Sequence, residues 1–269
     1  MGKIISVANQ KGGVGKTTTA VNLAACIALA GRRVLLVDMD PQSNATNGLG
    51  VQMADNRMGV YHLLLGEARL DQVVQATEIE TLKLLPASVD LAGAEIELVS
   101  YPRREHRLKE ELARSDLKFD FVLVDCPPSL GLLTLNALGA SRSVLIPMQC
   151  EYYSLQGLSH LLRTLKGIKH SMNPDLGVEG ILLTMFDGRT SLAAQVRDQV
   201  RRYFNDHLLN TVIPRNVRLS EAPSHGKPVV LYDSRSKGAD AYVELAKEII
   251  ARNRRLRQGS SRKGPKENS

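Results

Sequence analysis

Between Asn9 and Thr18 the chain reads Asn-Gln-Lys-Gly-Gly-Val-Gly-Lys-Thr-Thr, which gathers three glycines, two lysines and two hydroxyls into ten residues. Gly12, Gly13 and Gly15 allow a backbone curled tightly enough for successive N–H groups, that of Val14 included, to point at one anion. Lys16 supplies a cation for the β- and γ-phosphates of a nucleotide, and Thr17, followed by Thr18, supplies a hydroxyl able to coordinate Mg2+. The run follows the apolar stretch Ile4 to Ala8 and opens the Ala/Leu-rich segment Lys16 to Ala30. A strand therefore delivers the loop, and a helix N-terminus adds positive potential behind it. The spacing departs from G-x-x-x-x-G-K-[ST] in one respect: Gln10 stands at the first glycine position, and an extra lysine, Lys11, follows it.

Two further segments carry carboxylates suited to such a site. Phe121-Val-Leu-Val-Asp125 is four apolar residues ending in an acid, which reads as a strand presenting Asp125 to Mg2+ through water at its carboxyl end. Val37-Asp38-Met39-Asp40-Pro41 ends another strand with two acids, and strand alternation points Asp38 and Asp40 to one side. After Asp125, Cys126-Pro127-Pro128-Ser129 is a loop stiffened by two prolines.

These residues need a scaffold that brings several strand ends together. Strand-like runs occur at Ile4 to Ala8, Val34 to Val37, Leu82 to Leu85, Phe121 to Val124, Ser143 to Pro147, Gly180 to Thr184 and Thr211 to Ile213. They alternate with helical patterns at Lys16 to Ala30, Ala92 to Ser115, Ser154 to His170, Ser191 to Asn205 and Gly238 to Arg252. Alternation of this kind predicts an α/β fold of three layers, with a mostly parallel central sheet flanked by helices. Several strands are apolar on both faces, as a sheet covered on both sides requires.

Composition narrows the class further. The formal net charge is +7, but Arg252 to Ser269 holds seven basic residues against Glu267, a net of +6, which leaves +1 for residues 1 to 251. Basicity is thus a property of the end of the chain, which from Gln258 onward has almost no apolar content and reads as disordered. The domain reading is one folded body over 1–252 and a basic tail over 253–269. Cys26, Cys126 and Cys150 have neither the spacing nor the even number of a disulfide framework or a zinc site, which fits a reduced cytoplasmic compartment. The chain enters its first strand without a leader pattern, and no apolar run approaches the ~18 residues of a membrane span, so no integral membrane association is expected. The six histidines form no catalytic arrangement, and residues 51 to 115 hold no interpretable motif.

Lys11-Gly-Gly-Val-Gly-Lys-Thr-Thr, Asp38-Met-Asp40-Pro-Gln, the Asp125 strand end with its two prolines, and Val212-Ile-Pro214-Arg-Asn216-Val-Arg218-Leu-Ser-Glu-Ala-Pro223 together resemble the ParA/Soj family of the ParA/MinD superfamily of P-loop NTPases. The resemblance spans residues 2 to 250. It implies a dimer with ATP at the interface, Lys11 reaching across to the partner's nucleotide, Asp40 positioning the attacking water and Asp38 near the metal shell. Pro214 and Asn216 would lie against adenine. Among the basic residues Arg189, Arg197, Arg201, Arg202, Arg215 and Arg218, the family pattern puts Arg189 and Arg218 on a DNA-contacting surface, with Arg197 and Arg201 sharing a helix face beside them. The resemblance further implies slow ATP hydrolysis, stimulation by a ParB/Spo0J-type centromere-binding protein, non-specific binding to double-stranded DNA, and a nucleoid-associated cytoplasmic location. Family members also act on the replication initiator DnaA, so an ATP-dependent regulator of replication initiation or a MinD-like positioning ATPase is the alternative. The end of this chain lacks the apolar face of the MinD membrane-targeting helix.

Overall fold

The computed structural model describes residues 2–53, 57–152 and 154–261, with side chains as far as Arg254. In chain order the elements are β1 (Lys3–Val7), α1 (Lys16–Leu29), β2 (Val34–Asp38), α2 (Asn44–Gly48), α3 (Val60–Leu65), α4 (Leu70–Val73), β3 (Gln75–Ala76), β4 (Leu82–Leu85), α5 (Leu91–Glu97), α6 (Arg107–Arg114) and β5 (Phe121–Asp125). They continue with α7 (Leu132–Ala140), β6 (Ser143–Gln149), α8 (Ser154–Ser171), β7 (Gly177–Phe186), α9 (Ser191–Phe204), β8 (Leu208–Pro214), α10 (Val217–Glu221), α11 (Val229–Tyr232) and α12 (Lys237–Ser261).

The strands form one sheet in the order β3-β4-β2-β5-β1-β6-β7-β8, parallel throughout except for β3. Each of the seven expected strands is present. β1 lies between β5 and β6, so the chain winds outward from it in both directions, and the carboxyl ends of β1, β2, β5, β6 and β7 meet along one edge.

Alternation splits each strand between two cores. Leu35, Val37, Val122, Val124, Val144 and Ile146 face a layer built from α3 to α9. Val34, Leu36, Phe121, Leu123 and Leu145 face α1 and α12. Helix α1 is buried nearly all round, and its polar residues are satisfied: Asn22 donates to the Thr18 carbonyl at 2.8 Å and accepts from the Val229 amide at 2.6 Å, while the Thr19 hydroxyl meets that of Tyr242 at 3.2 Å. The phosphate loop is therefore seated on a helix that cannot shift without disturbing α11 and α12.

At the outer strand β8 the Glu248 carboxylate, reaching from α12, accepts the backbone N–H groups of Asn210 and Thr211, each at 3.0 Å.

Two helical expectations change. Ala92 to Ser115 is interrupted rather than continuous: Tyr101, which precedes Pro102, adopts an extended conformation (ψ 139°), and Arg103 has φ 53°. A residue before proline is driven out of the helical region by the pyrrolidine ring, which separates α5 from α6. At the other end α12 continues past Arg252 to Ser261, through a run from Arg254 to Gln258 of arginines, leucine and glutamine that are good helix formers. Residues 262–269, the rest of the segment read as disordered, lie outside the described residues.

Candidate active site

The loop from Asn9 to Gly15 leaves β1 and turns into α1 through Gly13 and Gly15, whose φ values are +73° and +83°. A Cβ at Gly13 would meet nothing within 4 Å, so the backbone conformation, not lack of space, requires glycine there. The residue capping α1 is Gly15, which offers no side-chain acceptor, so the first N–H groups of the helix are left for an external anion.

The neighbouring strand ends brace this loop. Asn9 donates to the Pro147 carbonyl at 2.7 Å, Gln149 donates to the Gly13 carbonyl at 2.8 Å, and Thr184 donates to the Val14 carbonyl at 2.8 Å. Sequence reasoning missed Gln149 and Thr184. Their signal was positional, since Gln149 sits at the carboxyl end of β6, which adjoins β1, and Thr184 toward the carboxyl end of β7, the next strand outward.

The two lysines of the loop diverge. Lys16 is buried, and its ammonium donates to the Lys11 carbonyl at 3.2 Å. Burial lowers its pKa, while Asp125, Cys126 and Asp40 act in the opposite sense. Lys11 points outward and is ion-paired with Glu151, both side chains about half exposed.

Three carboxylates gather opposite Lys16. Asp38 and Asp125 are register partners on β2 and β5, and both are completely buried. Asp38 accepts from the Thr46 amide at 2.8 Å, the Thr46 hydroxyl at 2.7 Å and the Asp40 amide at 3.2 Å. Burial nevertheless pushes its pKa up to about 6, against the lowering by those Thr46 and Asp40 hydrogen bonds. Thr46 also accepts from the Ala87 amide at 3.0 Å, which makes it an unforeseen link between the β2 acid and the segment after β4. Asp40 is buried and accepts from the Gln42 amide at 3.0 Å.

Asp125 differs from both: neither of its oxygens has a hydrogen-bond partner. Burial raises its pKa well above the usual carboxylate range and Asp38 and Asp40 add to the rise, with the Thr17 hydroxyl and the Lys16 ammonium pulling the other way. A buried carboxylate without partners is costly unless a cation satisfies it, so the residues present fit a divalent ion between Asp125 and Thr17. Among the described residues no three His, Cys, Asp or Glu side chains group to hold a metal by themselves. Mg2+ keeps waters and takes phosphate oxygens rather than a full protein cage. Asp38, with its three donors, is committed to holding the turn that carries Asp40.

The remaining sequence candidates lie at or after the ends of β7 and β8 or along α9. Pro214 ends β8 in register with Phe186 of β7. Asn216 caps α10, accepting the Arg218 amide at 2.9 Å through Oδ1. Arg189 follows β7 and forms a two-pronged pair with Asp187 at 2.8 and 2.7 Å. Arg218 is held by Glu221 at 2.8 Å and Asp233 at 3.1 Å. Arg197 lies over the Phe186 ring at 5.9 Å and contacts Asp198 at 3.3 Å, with Arg201 one turn along α9.

A glycine loop at the head of a buried helix, a lysine turned into it and an orphan acid on the adjacent strand define a P-loop nucleotide-binding protein. Residues 2–178 match the family described as AAA domain. The chain is 59% identical over 251 residues to the sporulation initiation inhibitor protein Soj of Bacillus subtilis, covering 93% of this chain and 99% of that one. It is 54% identical over 253 residues to the chromosome partitioning protein ParA of Myxococcus xanthus, covering 94% and 89%. Among solved structures, cobyrinic acid a,c-diamide synthase from Mycobacterium smegmatis with bound ATP analog and magnesium superposes with a TM-score of 0.80 at 40% identity, over 93% of this chain and 95% of that one. The chain belongs to the Soj/ParA family of chromosome-partitioning ATPases.

Truncating the inward lysine tests the phosphate assignment. Lys16→Ala is expected to weaken ATP binding by about one to two orders of magnitude, the worth of a charge-assisted contact in a partly buried site. A fluorescent-nucleotide titration reads this directly, and unchanged affinity refutes the role.

Proposed function

We propose that this chain is an ATP-driven switch for DNA segregation, in which ATP pairs two copies and the pair holds DNA until hydrolysis releases it. The observation that carries the reading is the divergence of the two loop lysines, one turned into its own site and the other directed outward. Lys11 is turned away from its own phosphate loop toward Glu151, and bringing two nucleotides face to face creates a repulsion that a lysine given by each copy to the other offsets.

In the hydrolytic step a water attacks the γ-phosphorus, the bond to the bridging oxygen breaks, and ADP and phosphate leave. Asp40 orients that water and Lys16 balances charge on the phosphates. Thr17, and Asp125 through water, would hold Mg2+, which would supply electrostatic stabilisation of the phosphate oxygens. Pro214 walls the adenine, and the Asn216 carboxamide donates to its edge. The rate is slow until a ParB/Spo0J-type protein stimulates it. An action on the initiator DnaA is a further consequence of the same switch.

DNA is held without sequence preference by Arg189 and Arg218, flanked by Arg197 and Arg201, through phosphate contacts, and the protein is therefore nucleoid-associated in the cytoplasm. No helix among the described residues is long and apolar enough to cross a membrane. Because Asp187 already occupies Arg189, Asp187→Asn is expected to tighten duplex binding several-fold. It should also steepen the dependence on salt by about one unit in log–log slope per phosphate gained. Unchanged affinity and slope would show that Arg189 takes no part.

The reading as a whole is tested by duplex binding without nucleotide, with ADP and with ATP, for the wild type, Lys11→Ala and a chain ending at Arg252. Binding only with ATP, lost in Lys11→Ala and kept after truncation, is the expected result. Nucleotide-independent binding that disappears with the tail would instead favour a MinD-like positioning ATPase or a regulator of replication.

A further inference from the structure

At the edge of the sheet opposite the phosphate loop, the C-terminal ends of α8 and α9 and the start of β7 enclose a groove of about 640 Å³. Leu176, Gly177 and Val178 line it, whereas Thr184, farther along the same strand, meets the phosphate loop; about 20 Å of strand separates the two places. The groove is thus no part of the nucleotide site.

Its floor is apolar, with Leu165 and Leu176 almost wholly buried and Leu162 and Phe204 partly so. Tyr203 stands beside it with 69% of its surface exposed. Its rim carries Lys166, Lys169 and Arg202 against one carboxylate, Asp206. The full length of α8 contains no Asp or Glu. Among the described residues none of these three cations has an ion-pair partner, whereas Arg189, Arg197 and Arg218 are each matched by a neighbouring acid.

A solvated helix face accounts for exposed cations, but not for an apolar concavity beneath them with an exposed tyrosine at its side. Duplex DNA uses such cations through its phosphates and has no use for the floor. An amphipathic segment uses both: its apolar side chains enter the trough while its acids meet the rim, which supplies desolvated contact at the centre and charge complementarity around it. We propose that the α8–α9 groove docks an acidic, amphipathic segment of a partner protein.

The test uses the full chain and, as probe, a phage-displayed library of random peptides about 16 residues long, enough for roughly four helical turns. Selection on the wild type is paired with counter-selection on Lys166→Glu/Lys169→Glu. The expected peptides carry Leu or Phe at helical spacing with an excess of Asp and Glu. They should lose about tenfold or more in affinity for the double variant, the effect of removing and reversing close charge pairs. They should also weaken several-fold on Tyr203→Ala, with basal ATP hydrolysis unchanged in both variants. The proposal is overturned if no peptide distinguishes the wild type from the double variant, or if the selected peptides are neutral or basic. It is equally overturned if binding ignores Tyr203→Ala and a DNA duplex displaces the peptides, since the surface would then be a simple polyanion site.

Discussion

Asp125→Asn is expected to stabilise the nucleotide-free protein while it destroys the Mg2+-dependent reaction. The wild-type carboxylate is buried with both oxygens unpartnered, and an unsatisfied buried group costs on the order of 1–3 kcal/mol, more when charged. Asparagine removes the charge, and for a chain of this size each kcal/mol moves the melting temperature by roughly 2–4 °C. The sign with pH follows from linkage. A carboxyl whose pKa is raised by folding binds more protons in the native state, so its penalty is absent below the unfolded value and grows as pH rises through the interval up to the folded value. The advantage of the variant is therefore full only above the raised folded value and shrinks as pH falls from there toward the ordinary carboxylate range. Thermal unfolding with and without Mg2+ and ATP, across pH, measures both halves: the ligand increment seen in the wild type should be lost in the variant. A variant less stable than the wild type in the absence of ligand would mean that Asp125 has a structural partner instead.

Asp40→Ala should separate binding from turnover. Asp40 is not needed to form the phosphate loop or to hold Lys16, so ATP affinity is expected to change by less than about threefold. Hydrolysis should fall by about 10²–10⁴, the range for losing a group that positions or activates a nucleophile. On the proposed cycle the variant accumulates as a pair that stays on DNA in the presence of ATP. Phosphate release and analytical ultracentrifugation decide the matter, and normal turnover in Asp40→Ala would move the catalytic role elsewhere. Part of the effect must be apportioned to the Gln42 amide, which loses its acceptor when the Asp40 carboxylate is removed. Asp40→Asn, which keeps the backbone contact and the shape, is the companion variant.

The chemistry most legible in the sequence is the part that chemistry forces to be contiguous. A loop that wraps an anion must be a single run of residues, so Gly12 to Thr17 could be read directly, as could the acid at the tip of β5. What braces the loop comes from segments more than a hundred residues away, and Gln149 and Thr184 look like any polar residues at strand ends until the sheet order is known. Thr46 was obscure for a related reason, because its value lies in joining Asp38 to Ala87 across a gap that no local pattern spans. The break between α5 and α6 was readable in principle from Pro102, but the apolar periodicity on either side of it masked the signal. The extension of α12 shows the opposite weighting: lack of apolar residues from Gln258 onward reads as disorder, whereas α12, favoured by the helix formers from Arg254 to Gln258, continues to Ser261.

The pairing of Glu248 with the outer strand has a bearing on how copies of this chain can meet. An open strand margin invites another chain to continue the ladder, and the proposed cycle of pairing and release could not tolerate so indiscriminate a route. With the amides of Asn210 and Thr211 already taken by Glu248, and the far margin closed by a strand only two residues long that runs against its neighbour, lateral growth into filaments is disfavoured at both margins. The proposed pairing is then left to surfaces that can be governed by what is bound to them.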